Sequence, residues 1–172
     1  MPHFVSPDGV VVRPYDAAAD LDWAGTILDE EFAGRLQARR GVLMDPLAGD
    51  GLVAESSGMR TGLLTWLIDR DAGQAEIRLL IVVAAARGRG VGSLLLERAA
   101  GALAAAGCRR AWLVTTNDAI DALAFYQRRG FRLVELRPGA VDLARESIKP
   151  TIGLIGASGI PIRDELELAR EI

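Results

Sequence analysis

"VVAAARGRGVGSLLLERAAGALAAAG", residues 82–107, sets Gly88, Gly90 and Gly92 between the end of an apolar run and a stretch dominated by alanine and leucine. Val91, Leu94, Leu95, Ala99, Ala102, Leu103 and Ala106 recur at helical spacing with Glu97 and Arg98 outside the stripe, which predicts a helix over 90–106. Gly107 stands where such a helix ends. A helix that begins directly after a strand presents unpaired N–H groups and the positive end of its dipole, a combination that suits an anion. Glycines remove the β-carbons that would keep phosphate oxygens from those groups, and Arg87 and Arg89 add charge. The structural alternative is that the glycines only permit tight strand-to-helix packing.

Working outward, "VVVRPY" (10–15) reads as a strand stopped by Pro14, and Asp16 to Asp20 can cap a helix carrying Leu21, Ala24, Ile27, Leu28 and Phe32 on one face. A second short helix is predicted around Arg35 to Gly41. "GLVAES" (51–56), "TGLLTWLID" (61–69) and "AEIRLLIVV" (75–83) form a three-strand antiparallel meander leading into the glycine motif. Beyond the helix, "CRRAWLVT" (108–115) is a strand, so the crossover from 75 to 115 implies locally parallel pairing. Asn117 and Asp118 are expected to cap a helix with Ala119, Ala122, Leu123 and Tyr126 on one face, and "FRLVEL" (131–136) is the next strand. A short helix within 137–149 and a last strand in "GIPIRDELEL" (159–168) complete the chain.

At 172 residues, half of them apolar, the chain is expected to form one domain over 1–172, with a core of about 10–136 and an extended C-terminal segment over 137–172. No apolar run is long enough to span a membrane and the first residues lack a basic, apolar leader, so no membrane partner and a cytoplasmic location are expected. The net charge of −3 argues against a nucleic-acid partner. The charge is uneven: residues 1–86 hold 7 Arg against 13 acids, and residues 87–137 hold 9 Arg against 4 acids. The basic middle begins at the glycine turn. Cys108 and His3 are each the only residue of their kind, which excludes an internal disulfide and a Cys/His zinc centre, and no metal is expected.

Two phosphate loops fail against these letters. A Walker loop needs Gly-Lys-Ser/Thr, and the only lysine is Lys149. The dinucleotide fingerprint needs a third glycine at 93, where this chain has Ser, and an acid ending the next strand, which here ends in Thr115, Thr116 and Asn117. The order of elements and "LIVVAAARGRGVG" (80–92) instead resemble the GNAT superfamily of acetyl-CoA-dependent N-acetyltransferases, whose signature Arg/Gln-x-x-Gly-x-Gly/Ala is met by Arg87, Gly90 and Gly92. The family often has proline where this chain has Ala84. "NDAIDALAFYQRRGF" (117–131) is similar to a later family segment through Asn117, Phe125, Tyr126, Gly130 and Phe131.

The resemblance implies an α/β GNAT fold, with a mixed central sheet splayed at the coenzyme site and flanked by helices. It implies that backbone N–H groups of Arg87, Gly88, Arg89, Gly90, Val91, Gly92 and Ser93 bind the pyrophosphate of acetyl-CoA, and that Leu80, Ile81 and Val82 pair with the pantetheine arm. Asn117 would contact that arm as well, and Tyr126 would serve as general acid for the leaving thiolate. A backbone N–H near Val82 would stabilise the oxyanion. Glu76 is the candidate base, by its similarity in position to the glutamate of histone-type members, or else it pairs with Arg78 and no dedicated base exists. Cys108 reads as a core residue.

The implied activity is direct acetyl transfer to a primary amine of a small molecule or peptide; the alternative is a coenzyme A-binding sensor without turnover. Glu30, Glu31, Arg35, Asp142 and Arg145 are position-based candidates for the acceptor site. The tail is longer than a plain hairpin needs, so it is read either as an insertion over the acceptor site or as a strand exchanged between subunits of a homodimer.

Overall fold

The computed structural model of the chain describes residues 4–5 and 9–172; His3 lies outside the described residues. In chain order the strands are β1 (Phe4–Val5), β2 (Val10–Pro14), β3 (Gln37–Arg39), β4 (Val42–Met44), β5 (Asp50–Ser56), β6 (Met59–Asp69), β7 (Gln74–Val82), β8 (Arg110–Thr116), β9 (Arg132–Arg137) and β10 (Glu165–Glu171). The helices are α1 (Ala17–Phe32), α2 (Val91–Ala105), α3 (Ile120–Gln127) and α4 (Ala140–Ser147). Among the described residues no helix is long and apolar enough to cross a membrane. Two compact units divide the chain, one of Met1–Ala24, Pro46–Ala111 and Ile172, the other of Gly25–Asp45 and Trp112–Glu171.

The first unit holds the predicted meander. Its strands run β1-β2-β5-β6-β7, each antiparallel to its neighbour. Ser57 and Gly58 close the β5–β6 hairpin with φ of 51° and 76°, the pair of positive values that matches a two-residue turn to twisted strands. Along β7 burial alternates, so Ala75, Ile77, Leu79 and Ile81 face inward and Glu76, Arg78, Leu80 and Val82 share the other face. Helix α2 buries Val91, Leu95, Leu96, Ala99 and Leu103 and packs on β5, β6 and β7. A β-carbon at Gly62 would stand 2.9 Å from Leu95 Cδ1 and 3.0 Å from Val91 Cγ1, so glycine at this position of β6 is what lets the helix lie that close.

In the second unit β10 lies between β8 and β9 and runs antiparallel to β9. Three expectations are corrected here. Residues 35–41 do not form a helix: β3 and β4 form a hairpin whose turn residues Arg40 and Gly41 have φ of 52° and 75°, and Arg35 closes its base through a 2.5 Å ion pair with Asp45. The last strand begins at Glu165 rather than Gly159. The preceding segment instead folds back on residues 154–156 through an isolated Ile155–Pro161 bridge, while Arg145 donates to the Ile162 carbonyl and Asn117 to the Pro161 carbonyl. Asn117 and Asp118 do not cap α3: Ala119 stands at the cap without a side-chain bond, Asp118 accepts from the Thr116 hydroxyl, and Asn117 bonds elsewhere.

Lys149, the only lysine, is buried and donates from Nζ to the Phe32 carbonyl at 2.9 Å, which caps the carboxyl end of α1. Burial pushes its pKa down.

Asp20 is a heavily bound charge in the first unit. Its fully buried carboxylate accepts from Arg13 at 2.7 Å on each oxygen, from Arg60 Nε at 2.8 Å and from the Asp16 amide at 2.9 Å. This ties α1 to β2 and β6. Burial by itself pushes the carboxyl pKa up, but the bonds from Arg13, Asp16 and Arg60 outweigh it and hold the group well below its ordinary 3.8. A group whose pKa is lower in the folded than in the unfolded chain stabilises the fold above its unfolded value and loses that contribution as the pH falls. Asp20→Asn is expected to cost about 3 kcal/mol at neutral pH and to flatten the loss of stability below about pH 4. Urea unfolding of both proteins across that range checks it, and equal slopes with equal midpoints would contradict the assignment.

Candidate active site

The first unit carries the glycine motif and the strand before it. Strand β7 ends at Val82, a 3-10 turn covers Ala84–Ala86, and α2 starts at Val91. Gly88 and Gly90 have φ of 76° and 80°, the left-handed conformation that any other residue adopts with strain, and nothing lies within 4 Å of where a β-carbon would stand at either. Gly90 is the cap residue of α2 and no side chain caps the helix, whose bonding starts with the Leu94 amide donating to the Gly90 carbonyl at 3.0 Å. The start of α2 therefore has no side-chain cap bond, and the space where β-carbons would stand at Gly88 and Gly90 is open.

Arg87 donates from Nε to the Val82 carbonyl at 2.9 Å, fastening the turn to the strand end, and Arg89 is exposed. Leu80, Ile81 and Val82 pair on one edge with Leu64, Leu63 and Gly62 of β6. Glu76 lies on the same face as Leu80 and Val82, and its carboxylate accepts from Arg78 Nε at 3.2 Å with both side chains largely buried.

The second unit carries Asn117 and Tyr126. The Asn117 Oδ1 accepts from the amides of Arg163 and Asp164 at 2.9 and 3.0 Å while Nδ2 donates to the Pro161 carbonyl at 2.9 Å, so this side chain fastens the entry to β10. Tyr126 is buried in α3 between Phe125 and Phe131, with ring centroids 5.2 and 5.4 Å away in edge-on packing. Burial pushes the phenol pKa well above its ordinary 10, against a smaller opposing pull from the positive charge of Arg39. The hydroxyl thus holds its proton throughout the neutral range. Cys108 is free and buried, as expected.

A cavity of about 190 Å³ also lies in the second unit, walled by Phe32, Ala38, Val114, Val141, Ala144 and Ile152. None of the position-based acceptor candidates lines it. Glu30 and Glu31 are exposed on α1, Arg35 is bound to Asp45, and Asp142 pairs with Arg145 at 2.6 Å. The charged groups that do line it, Arg39 and Glu165, escape a reading of the chain. Glu165 sits in "ELEL", where alternation puts the leucines inward, yet Glu165 and Glu167 are buried and the register shifts between Glu167 and Leu168.

The model of the acetyltransferase (GNAT) family matches residues 20–131. The chain belongs to the GNAT family. The uncharacterized protein YxbD of Bacillus subtilis is 39% identical over 128 residues, 74% of this chain and 77% of that one. YdhI of the same organism, also uncharacterized, is 35% identical over 128 residues, 74% and 76% of the two chains.

Solved GNAT structures share the fold. An IAA acetyltransferase from Bacillus cereus superposes with a TM-score of 0.75 at 24% identity, covering 95% of this chain and 99% of that one. A GNAT acetyltransferase from Elizabethkingia anophelis with acetyl-CoA bound gives 0.69 at 18% identity, covering 97% and 100%, and a Bacillus subtilis acetyltransferase in complex with CoA gives 0.67 at 20%, covering 94% and 97%. The chain has the GNAT fold, a mixed sheet flanked by helices, and is an acyltransferase of that family.

The buried phenol yields a test independent of turnover. Because the Tyr126 pKa is higher in the folded than in the unfolded chain, its contribution to stability is complete below pH 10 and lost as the pH rises further. Unfolding free energies between about pH 8 and 11 are expected to fall less steeply in Tyr126→Phe than in the wild type, and parallel curves would contradict a buried, protonated phenol.

Proposed function

We propose that this GNAT acyltransferase uses acetyl-CoA and moves the acetyl group directly to a primary amine, as a cytoplasmic enzyme. The observation that carries the reading is the left-handed Gly88 and Gly90 turn at an open helix start, with Arg87 and Arg89 beside it. The acetyl-CoA and CoA held by two of the structural neighbours support it. When bound, acetyl-CoA supplies the acyl group as a thioester, whose C–S bond breaks as the C–N bond to the amine forms.

The chain's own residues divide the remaining tasks. The backbone from Arg87 to Ser93, including the first turn of α2, donates to the pyrophosphate, where the helix dipole and two guanidinium groups offset its charge. Backbone groups of Leu80, Ile81 and Val82 align the pantetheine arm, and an N–H near Val82 donates to the carbonyl oxygen as charge develops there. Asn117 holds the start of β10 in place and borders the arm. Tyr126 gives its phenol proton to the departing sulfur and is reprotonated from solvent. Glu76, held by Arg78, takes the proton of the attacking amine through water.

Calorimetry with acetyl-CoA, followed by thiol release across a panel of amines, tests the reading. Gly90→Glu places a carboxylate in the anion site and is expected to weaken acetyl-CoA binding at least about a hundredfold, by repulsion and loss of the turn. Tyr126→Phe is expected to lower turnover by about a hundredfold or more while leaving coenzyme affinity within about twofold. Undiminished binding by the first variant, or wild-type turnover in the second, would overturn the corresponding assignment. Binding with no thiol release for any amine would contradict the transfer itself.

A further inference from the structure

The cavity in the second unit sets one buried carboxylate among apolar residues. Glu165 is 3% exposed, and among the described residues its carboxylate is met only by the Arg40 amide, which approaches its two oxygens at 3.0 and 3.2 Å. Arg137, opposite Glu165 in the register of β9 and β10, binds Glu135 and Glu167 instead. One neutral donor leaves most of the acceptor capacity of a buried carboxylate unused. Glu165 lines the cavity, and Gln37 and Thr115 add an amide and a hydroxyl to the same lining. The Gln37 amide donates from Nε2 to the Gly34 carbonyl at 2.6 Å, which leaves its oxygen to accept. Arg39 lines the cavity as well but has an interaction within the protein, so no ligand contact is assigned to it.

Three groups able to accept, one of them charged, suit a ligand end that carries positive charge and only donors. A primary ammonium is such a group, with three N–H donors and no acceptor, whereas an alcohol brings one donor and no charge to offset the carboxylate. Phe32, Val114, Val141, Ala144 and Ile152 give the remainder of the ligand an apolar enclosure. With liquid water occupying about 30 Å³ per molecule, a space of about 190 Å³ takes a ligand of on the order of six non-hydrogen atoms. We propose that this cavity binds a small aliphatic primary amine in its ammonium form, with Glu165 accepting from the ammonium group. Every residue of this site belongs to the second unit, so binding here stands apart from the coenzyme turn of the first.

The test titrates the full chain, without coenzyme and at about pH 7, where an alkylamine is protonated, with isoamylamine and with isoamyl alcohol, which has the same carbon skeleton and no charge. Isoamylamine is expected to bind with a dissociation constant on the order of a millimolar or tighter, and at least about tenfold more tightly than the alcohol. In the isotopically labelled protein the amide resonance of Arg40, whose N–H shares Glu165 with the ligand, is expected to move saturably with the amine. Glu165→Gln, which keeps an acceptor for that amide, is expected to weaken the amine by about tenfold or more and to leave the alcohol within about twofold. The alcohol binding as tightly as the amine, no saturable binding of the amine, or unchanged amine affinity in the variant would overturn the proposal. If the variant fails to fold, the wild type decides: movement of the Arg40 resonance with the amine supports the site, and an unmoved resonance during saturable binding overturns it. Each of these results leaves the acetyl-transfer reading standing, because that reading is tested with coenzyme present.

Discussion

The close approach of α2 to β6 at Gly62 is the contact on which the first unit depends. A helix start is useful as an anion site only if the helix is held rigidly, and here the holding surface is Val91 and Leu95 lying over a residue with no side chain. Val91 is the first residue of α2, so the packing contact and the open amides share one turn of helix. The left-handed Gly88 and Gly90 then bring the chain from the end of β7 into that helix within a few residues. Each glycine has a separate physical duty: one permits a contact, the other two permit a backbone conformation.

Buried polar groups do comparable work elsewhere in each unit. Asp20 gathers two guanidiniums and an amide and so joins a helix to two strands. Asn117 and Arg145 use their side chains to tie down the loop before β10, and Lys149 closes the end of α1. Asp20, Asn117 and Arg145 each have several partners matched to their charge or hydrogen-bonding groups. Lys149 and Glu165 each meet a single neutral backbone group, the Phe32 carbonyl and the Arg40 amide.

Much of this was legible in the chain because the signals are local. The meander is written in alternating apolar residues and in the Ser57–Gly58 turn, and α2 is written in its stripe of leucine and alanine. The Arg-Gly turn of the β3–β4 hairpin was also present in the letters, but Val42 and Leu43 remain exposed, so no core-facing pattern distinguishes a strand from a helix there. The loop before β10 has the alternation of a strand, while its backbone bonds go to residues 154–156 and to the side chains of Arg145 and Asn117. Glu165 was hidden for the same reason. Its burial follows from strand register and a bulge, which no local pattern of acids and leucines records.

The central claim is that the amides from Gly88 to Ser93 hold the coenzyme pyrophosphate. Backbone amide resonances of the isotopically labelled protein, followed during a titration with CoA, test it residue by residue. The account predicts the largest changes at Gly88, Gly90, Val91, Gly92 and Ser93, with smaller ones along Leu80 to Val82. Saturable binding that leaves those resonances unmoved, with the changes elsewhere in the chain, would contradict it.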